Sequence, residues 1–155
     1  MATPFKVIFD GVLSKWRSTG ISDVTEEELD EILFDYIRPA CVRFRACKQN
    51  LNLRSDALGT LGSFDVELTH EEIEILINFV YLEFLTTNFI SVPSLLRQSL
   101  VSRDYHTFSA RNHLDGLIKL RDTIQAETRQ MISAYSNTDS DLFERLRARR
   151  AGSGV

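Results

Sequence analysis

LTHEEIEILINFVYLEFLTTNF, Leu68 to Phe89, is the stretch on which the reading of the whole chain turns. Thr69 followed three residues later by Glu72 is the capping-box pattern. Hydroxyl and carboxylate there each take up an amide that a helix start leaves without a partner. Glu71 and Glu72 also stand at the positive end of the helix dipole. Ile73, Ile75, Leu76, Ile77, Phe79, Val80, Tyr81, Leu82, Phe84 and Leu85 follow, and only Glu74 and Glu83 interrupt them with charge. At 3.6 residues per turn these apolar side chains cover most of the circumference. Such a helix has to be buried on nearly every side.

On length alone, Ile75 to Val92 meets the roughly 17–25 residue requirement of a membrane span. Glu83, however, would lie near mid-bilayer, at about 2.5–3.5 kcal/mol. The entry side carries Glu71, Glu72 and Glu74 with no Lys or Arg, and Asn78, Thr86, Thr87 and Asn88 dilute the rest. The stretch therefore reads as the central helix of a soluble protein.

Working outward, 155 residues with 43% hydrophobic content suit one domain with a real core. A net charge of −4 is the wrong sign for a protein that coats nucleic acid. Cys41 and Cys47 have the spacing of neither a zinc site nor a redox pair, and each reads as a small buried hydrophobe. Met1 to Asp10 has no extended apolar run of the kind a secretory leader carries, so cytoplasmic synthesis is expected.

Pro4 to Arg17 places Phe5, Ile8, Phe9, Val12, Leu13 and Trp16 at helical spacing, with Gly11 as a weak point. Ser18 to Ser22 reads as a turn. Thr25 with Glu28 repeats the capping box, and Leu29, Ile32, Leu33, Tyr36 and Ile37 line one side of the helix that follows. Its other side is acidic, with seven carboxylates and no base from Asp23 to Asp35. Pro39 is expected to disturb this helix or end it near Ile37. The apolar pattern resumes through Cys41, Val42, Phe44 and Cys47 among Arg38, Arg43, Arg45 and Lys48.

Asn50 to Ser63 reads as a loop. Phe64 to Leu68 alternates apolar and acidic residues, which predicts a short extended arm without a visible partner strand. After Pro93 comes a short helical piece with Leu95, Leu96, Leu100 and Val101, then a polar turn from Arg103 to Phe108. Ser109 is placed to cap the longest helix, Ala110 to Tyr135, about 39 Å at 1.5 Å per residue. Leu114, Leu117, Ile118, Ile124, Met131, Ile132 and Tyr135 form its apolar stripe. The prediction is an all-α helical bundle with a long central buried helix, a long C-terminal helix and one short extended β-like arm. Residues 1–138 form the domain, and 139–155 form a docking tail that is loose toward its end.

Motifs that would carry catalysis are weak. Gly59-Thr60-Leu61-Gly62 is not followed by the Lys and Ser/Thr of a phosphate loop, and its neighbours are acidic where an RNA clamp needs bases. His106 and His113 have only Asp104 and Asp115 near them, too thin a set for metal. Consecutive Glu26, Glu27 and Glu28 point in different directions around a helix and read as a solvated face. We therefore expect no enzyme, no metal and no cofactor.

Charge asymmetry remains. Glu26, Glu27, Asp30 and Glu31 form an acidic face, a candidate subunit–subunit contact. The tail sets Leu142, Phe143 and Leu146 among Arg145, Arg147, Arg149 and Arg150, a pattern suited to docking on a partner.

Four segments occur in a telling order. IRPACVRFRACKQNL (Ile37–Leu51) precedes FDVELTHEEIEIL (Phe64–Leu76), then SLVSRDYHTFSARNHLDGLIKLR (Ser99–Arg121), then a long helix ending in Tyr135. This series resembles the small neck proteins of tailed bacteriophages, the head–tail connector or adaptor family, over roughly Phe9 to Tyr135. Each motif is degenerate, so the resemblance rests on order and spacing. It implies an α-helical virion protein assembled as a homo-oligomeric ring, commonly twelvefold, beneath the portal. Such a ring meets a stopper or tail-completion protein on its other side. It lets DNA pass along its channel without sequence-specific binding, and it needs no membrane. The expected location is the virion neck, with the host cytoplasm before assembly. The alternative within the resemblance is a tail-completion protein; read without it, the same residues suit a small cytoplasmic helical adaptor or regulator or, less well, a DNA-binding helical domain using Arg38 to Lys48 and the terminal arginines.

Overall fold

The computed structural model describes residues 2–17, 26–54, 62–90 and 110–138. Expectations for the turn at Ser18 to Ser22, the Thr25 cap, Gly59 to Leu61, the segment from Pro93 through the Ser109 cap, and the tail lie outside these residues.

The architecture is all-α with a two-stranded sheet. Helix α3, His70–Leu85, is its axis, and eleven of its sixteen residues are buried. Thr69 caps it in the expected capping box. Ile75, Leu76, Val80 and Leu85 are completely enclosed, each worth about 1.5–3 kcal/mol relative to exposure. A π-helical turn, Thr86–Ile90, prolongs α3. Asn88 fastens that turn by donating to the Phe84 carbonyl and the Tyr36 hydroxyl, both at 3.1 Å.

Three helices surround this axis. Helix α1, Phe5–Arg17, turns Phe5, Ile8, Phe9, Val12, Leu13 and Trp16 inward, and Trp16 stands edge-on to Phe84 with centroids 5.0 Å apart. Gly11 is more than a weak point here. A Cβ added to it would lie 2.8 Å from Ile77 Cγ1 and closer still to Cδ1, so the missing side chain lets α1 approach α3. Helix α4, Ala110–Thr138, spans about 43 Å at the standard rise. Leu117, Ile124, Thr128 and Tyr135 are buried along its seam, flanked by half-buried Leu114, Met131 and Ile132. Thr128 returns its hydroxyl to the Ile124 carbonyl at 2.6 Å, so a polar residue sits in the seam at little cost.

Helix α2, Glu26–Arg43, departs from expectation, for it runs straight through Pro39. A proline inside a helix deprives the carbonyl four residues earlier, here Asp35, of its amide. Burial of Leu33, Ile37, Ala40 and Phe44 against the core outweighs that loss. Pro39 itself faces outward.

The extended arm has two partners. Strand β2, Ser63–Phe64, pairs antiparallel with β1, Leu53–Arg54, matching Leu53 with Phe64. On its other edge the N-terminal backbone joins in, Thr3 N–H donating to the Val66 carbonyl and Phe64 N–H to the Thr3 carbonyl. Phe64 is thereby sealed under Phe5 in an edge-on contact at 4.8 Å.

Both charges of the central run are answered. Glu83 meets Arg43 at 2.6 Å, and Glu74 meets Lys15 at 3.4 Å. Among the described residues no helix is long and apolar enough to cross a membrane.

Candidate interaction surface

Two regions merit attention, one buried and one exposed. The buried region centres on Glu72, which is 1% exposed. Its Oε2 accepts the Thr69 amide at 2.9 Å, completing the cap. Its Oε1 accepts the Tyr135 hydroxyl at 2.5 Å and faces the Cys47 thiol at 3.7 Å. Tyr135 in turn accepts the Lys48 amide at 2.9 Å, and the Lys48 ammonium lies 4.7 Å from the centre of its ring. One carboxylate thus ties the start of α3, the turn after α2 and the last turns of α4 together.

Burial, reinforced by the hydrogen bond to Glu72, pushes the Tyr135 hydroxyl well above its ordinary pKa. Burial likewise raises the Cys41 thiol to about 12, with the nearby Cys47 adding to the shift, and raises Cys47 itself. Both cysteines are consequently held as thiols, the unreactive form.

The exposed region is the outer side of α2. Glu31, Phe34, Asp35, Arg38 and Val42 fall within an arc of about 100° on the helix. All five are exposed, Val42 most of all at 61% and Phe34 at 38%. Beside this stripe lies a groove of about 440 Å³, lined by Phe5, Phe34, Asp35, Ile37, Arg38, Pro39 and Leu53. Its lining is mostly aromatic and aliphatic, with Asp35 and Arg38 as its charged members. Aggregated apolar surface with a polar edge is the usual make-up of a contact site.

The acidic face divides in the structure. Glu31 is exposed, as a contact residue must be. Asp30 instead turns inward, 7% exposed, and its Oδ2 takes the Lys6 ammonium at 2.6 Å. Glu26 and Glu27 belong to the first turn of α2, and their side chains lie outside the described set. Leu142, Phe143, Arg145, Leu146, Arg147, Arg149 and Arg150 lie outside the described residues too.

Sequence reasoning passed over Phe34 and counted Val42 in the resumed apolar pattern, whereas both carry the exposed stripe. The signal was present. Phe34 falls outside the arc of Leu33, Ile37 and Phe44, and Val42 lies opposite it, so neither fits the core-facing pattern. Among the described residues no group of three or more His, Cys, Asp or Glu is arranged to hold a metal ion. Comparison with known proteins finds no matching family model, no matching curated protein and no matching solved structure.

Proposed function

We propose that this chain is a structural component of the tailed-phage neck. It forms a ring beneath the portal, with a stopper or tail-completion protein on the far side, and continues the channel through which DNA passes. The acidic end of α2 contributes to subunit contacts, and the arginine-rich tail docks on the portal.

One observation supports this reading beyond the order of motifs. Three of the four segments that carry the resemblance are joined at Glu72. Cys47 and Lys48 come from Ile37–Leu51, Glu72 from Phe64–Leu76, and Tyr135 from the end of the long helix. Their spacing along the chain therefore has a physical reason, because each supplies one partner of a single buried network.

Quantitative mass spectrometry on purified, DNA-filled particles from the source that encodes the chain tests the proposal. Low-copy incorporation comparable with the portal protein is the expected result. A chain found only free in the lysate, missing from intact particles, overturns it in favour of a cytoplasmic adaptor. Neutralising Arg145, Arg147, Arg149 and Arg150 together is expected to weaken attachment to the portal. Undiminished attachment removes the tail from the account.

A further inference from the structure

We infer that the exposed stripe of α2 is a self-recognition surface, on which a second copy of this chain packs its own α2 in antiparallel orientation. The inference stands apart from the neck reading and rests on how charge and apolar surface are laid out along one helix face.

The stripe begins acidic and ends basic. Glu31 and Asp35 occupy its N-terminal half, Arg38 stands at its centre, and Arg45 follows just past the end of the helix. Phe34 and Val42 supply the apolar surface between them, at 38% and 61% exposure. Such a polarity does not suit a parallel copy, which brings like charges together. An antiparallel copy inverts the gradient. With Arg38 beside the two-fold axis, Glu31 of one copy meets Arg45 of the other, and Phe34 of one meets Val42 of the other. Each Arg38 then has the second copy's Asp35 within a turn of helix. Every one of these contacts occurs twice, as a two-fold interface requires.

Shape agrees with charge. Val42 is the most exposed large apolar side chain among the described residues. The groove that opens beside Phe34, with Ile37, Pro39 and Leu53 in its lining, offers the matching recess. Two-fold symmetry sets each Val42 against the other copy's groove. The contact covers about three turns of helix. It therefore belongs to the small, readily reversible class of interfaces.

A two-fold contact consumes the surface it uses, whereas a ring needs two different faces that can follow one another. If the chain works as a ring component, this pairing has to open before the ring closes. The dimer is then a holding form that keeps α2 covered in the free protein.

The test is sedimentation equilibrium on the full chain over a concentration series, with native mass spectrometry on mixtures. Wild type is expected to show a monomer–dimer equilibrium. E31K/D35K makes the stripe wholly basic and R38E/R45E makes it wholly acidic. Each alone is expected to dimerise about a hundredfold more weakly, with helical content unchanged by circular dichroism. Mixed in equal amounts, the two are expected to form a one-to-one heterodimer. Val42→Glu, at an outward position without a core role, is expected to be monomeric and serves should either double variant fail to fold. A wild-type chain that stays monomeric up to its solubility limit, or that forms a larger closed ring, overturns the inference. Charge variants that dimerise like wild type, or a mixture that stays monomeric, do so equally. Particle incorporation is measured independently, so the neck reading survives or fails apart from this result.

Discussion

Glu72 and Asp30 are both carboxylates enclosed by the protein, at 1% and 7% exposure, and they are kept there by different means. Glu72 is held by neutral donors from three segments: the Thr69 amide, the Tyr135 hydroxyl and the Cys47 thiol. Asp30 is held through one oxygen by a cation, Lys6, while its Oδ1 has no hydrogen-bond partner among the described residues. Lys6 is itself 41% exposed and shared with Asp10 at 3.1 Å. The contrast separates two jobs. A carboxylate that joins three elements through short-range donors fixes their geometry. One bridged to a half-solvated ammonium neutralises a charge and leaves its surroundings adjustable.

The largest break in this contrast comes from Glu72→Ala. It strips acceptors from three donors and opens a cavity at a fully enclosed position, so urea denaturation should show a loss of about 3 kcal/mol. Glu72→Gln should lose about half as much, because its amide oxygen can still serve Tyr135 while its NH2 cannot take the Thr69 amide. Equal stability of the alanine variant and wild type ends the account of Glu72 as a joint.

Tyr135→Phe comes next, at about 1–2 kcal/mol, since Lys48 N–H and Glu72 each lose a partner while the ring stays in place. Asp30→Asn should cost least, under about 1 kcal/mol, because its partner is half exposed and retains Asp10. A larger penalty at Asp30 than at Tyr135 reverses the comparison.

Alkaline titration sharpens it. Lys6 has its pKa raised above the ordinary 10.5, chiefly by the hydrogen bond to Asp30 and against the effect of burial. A raised folded pKa contributes stability that is complete below the unfolded value and disappears as pH climbs through the folded one. Tyr135, raised by burial and by Glu72, contributes with the same sign and also loses its share on the alkaline side. Stability should therefore fall above about pH 10.5 in wild type. Asp30→Asn should reduce the lysine part, leaving the share that Asp10 maintains, and Tyr135→Phe should remove the tyrosine part. A fall that keeps its size in the double variant assigns it to other groups.

How much of this was legible beforehand varies with the range of the interaction. The α3 cap lies within four residues, and its apolar circumference within one helix, so both could be read directly from Leu68 to Phe89. The partners of Phe64 could not be read. Leu53–Arg54 is too short to alternate visibly, and Thr3 joins the sheet from some sixty residues away in sequence. Pro39 misled because propensity is local, whereas the burial of Ala40 and Phe44 that carries α2 past it depends on the tertiary fold. Asp30 read as a member of the acidic contact face, since nothing nearby in the sequence signals that Lys6 reaches it from α1. The outer stripe of α2 was written in the sequence as residues that failed to fit the core pattern, and it is seen as a surface only when the groove beside Phe34 and Pro39 is in view.

Gly11 bears on how distant kin of this chain are to be sought. Because a methyl group there collides with Ile77, positions 11 and 77 share one volume between them. A lineage that acquires alanine at 11 is under pressure to shorten 77 to valine or alanine, and one that enlarges 77 must keep glycine at 11. Correlated substitution at this pair is the expected signature of the α1–α3 crossing. It offers a way to recognise the fold in chains whose other residues have drifted.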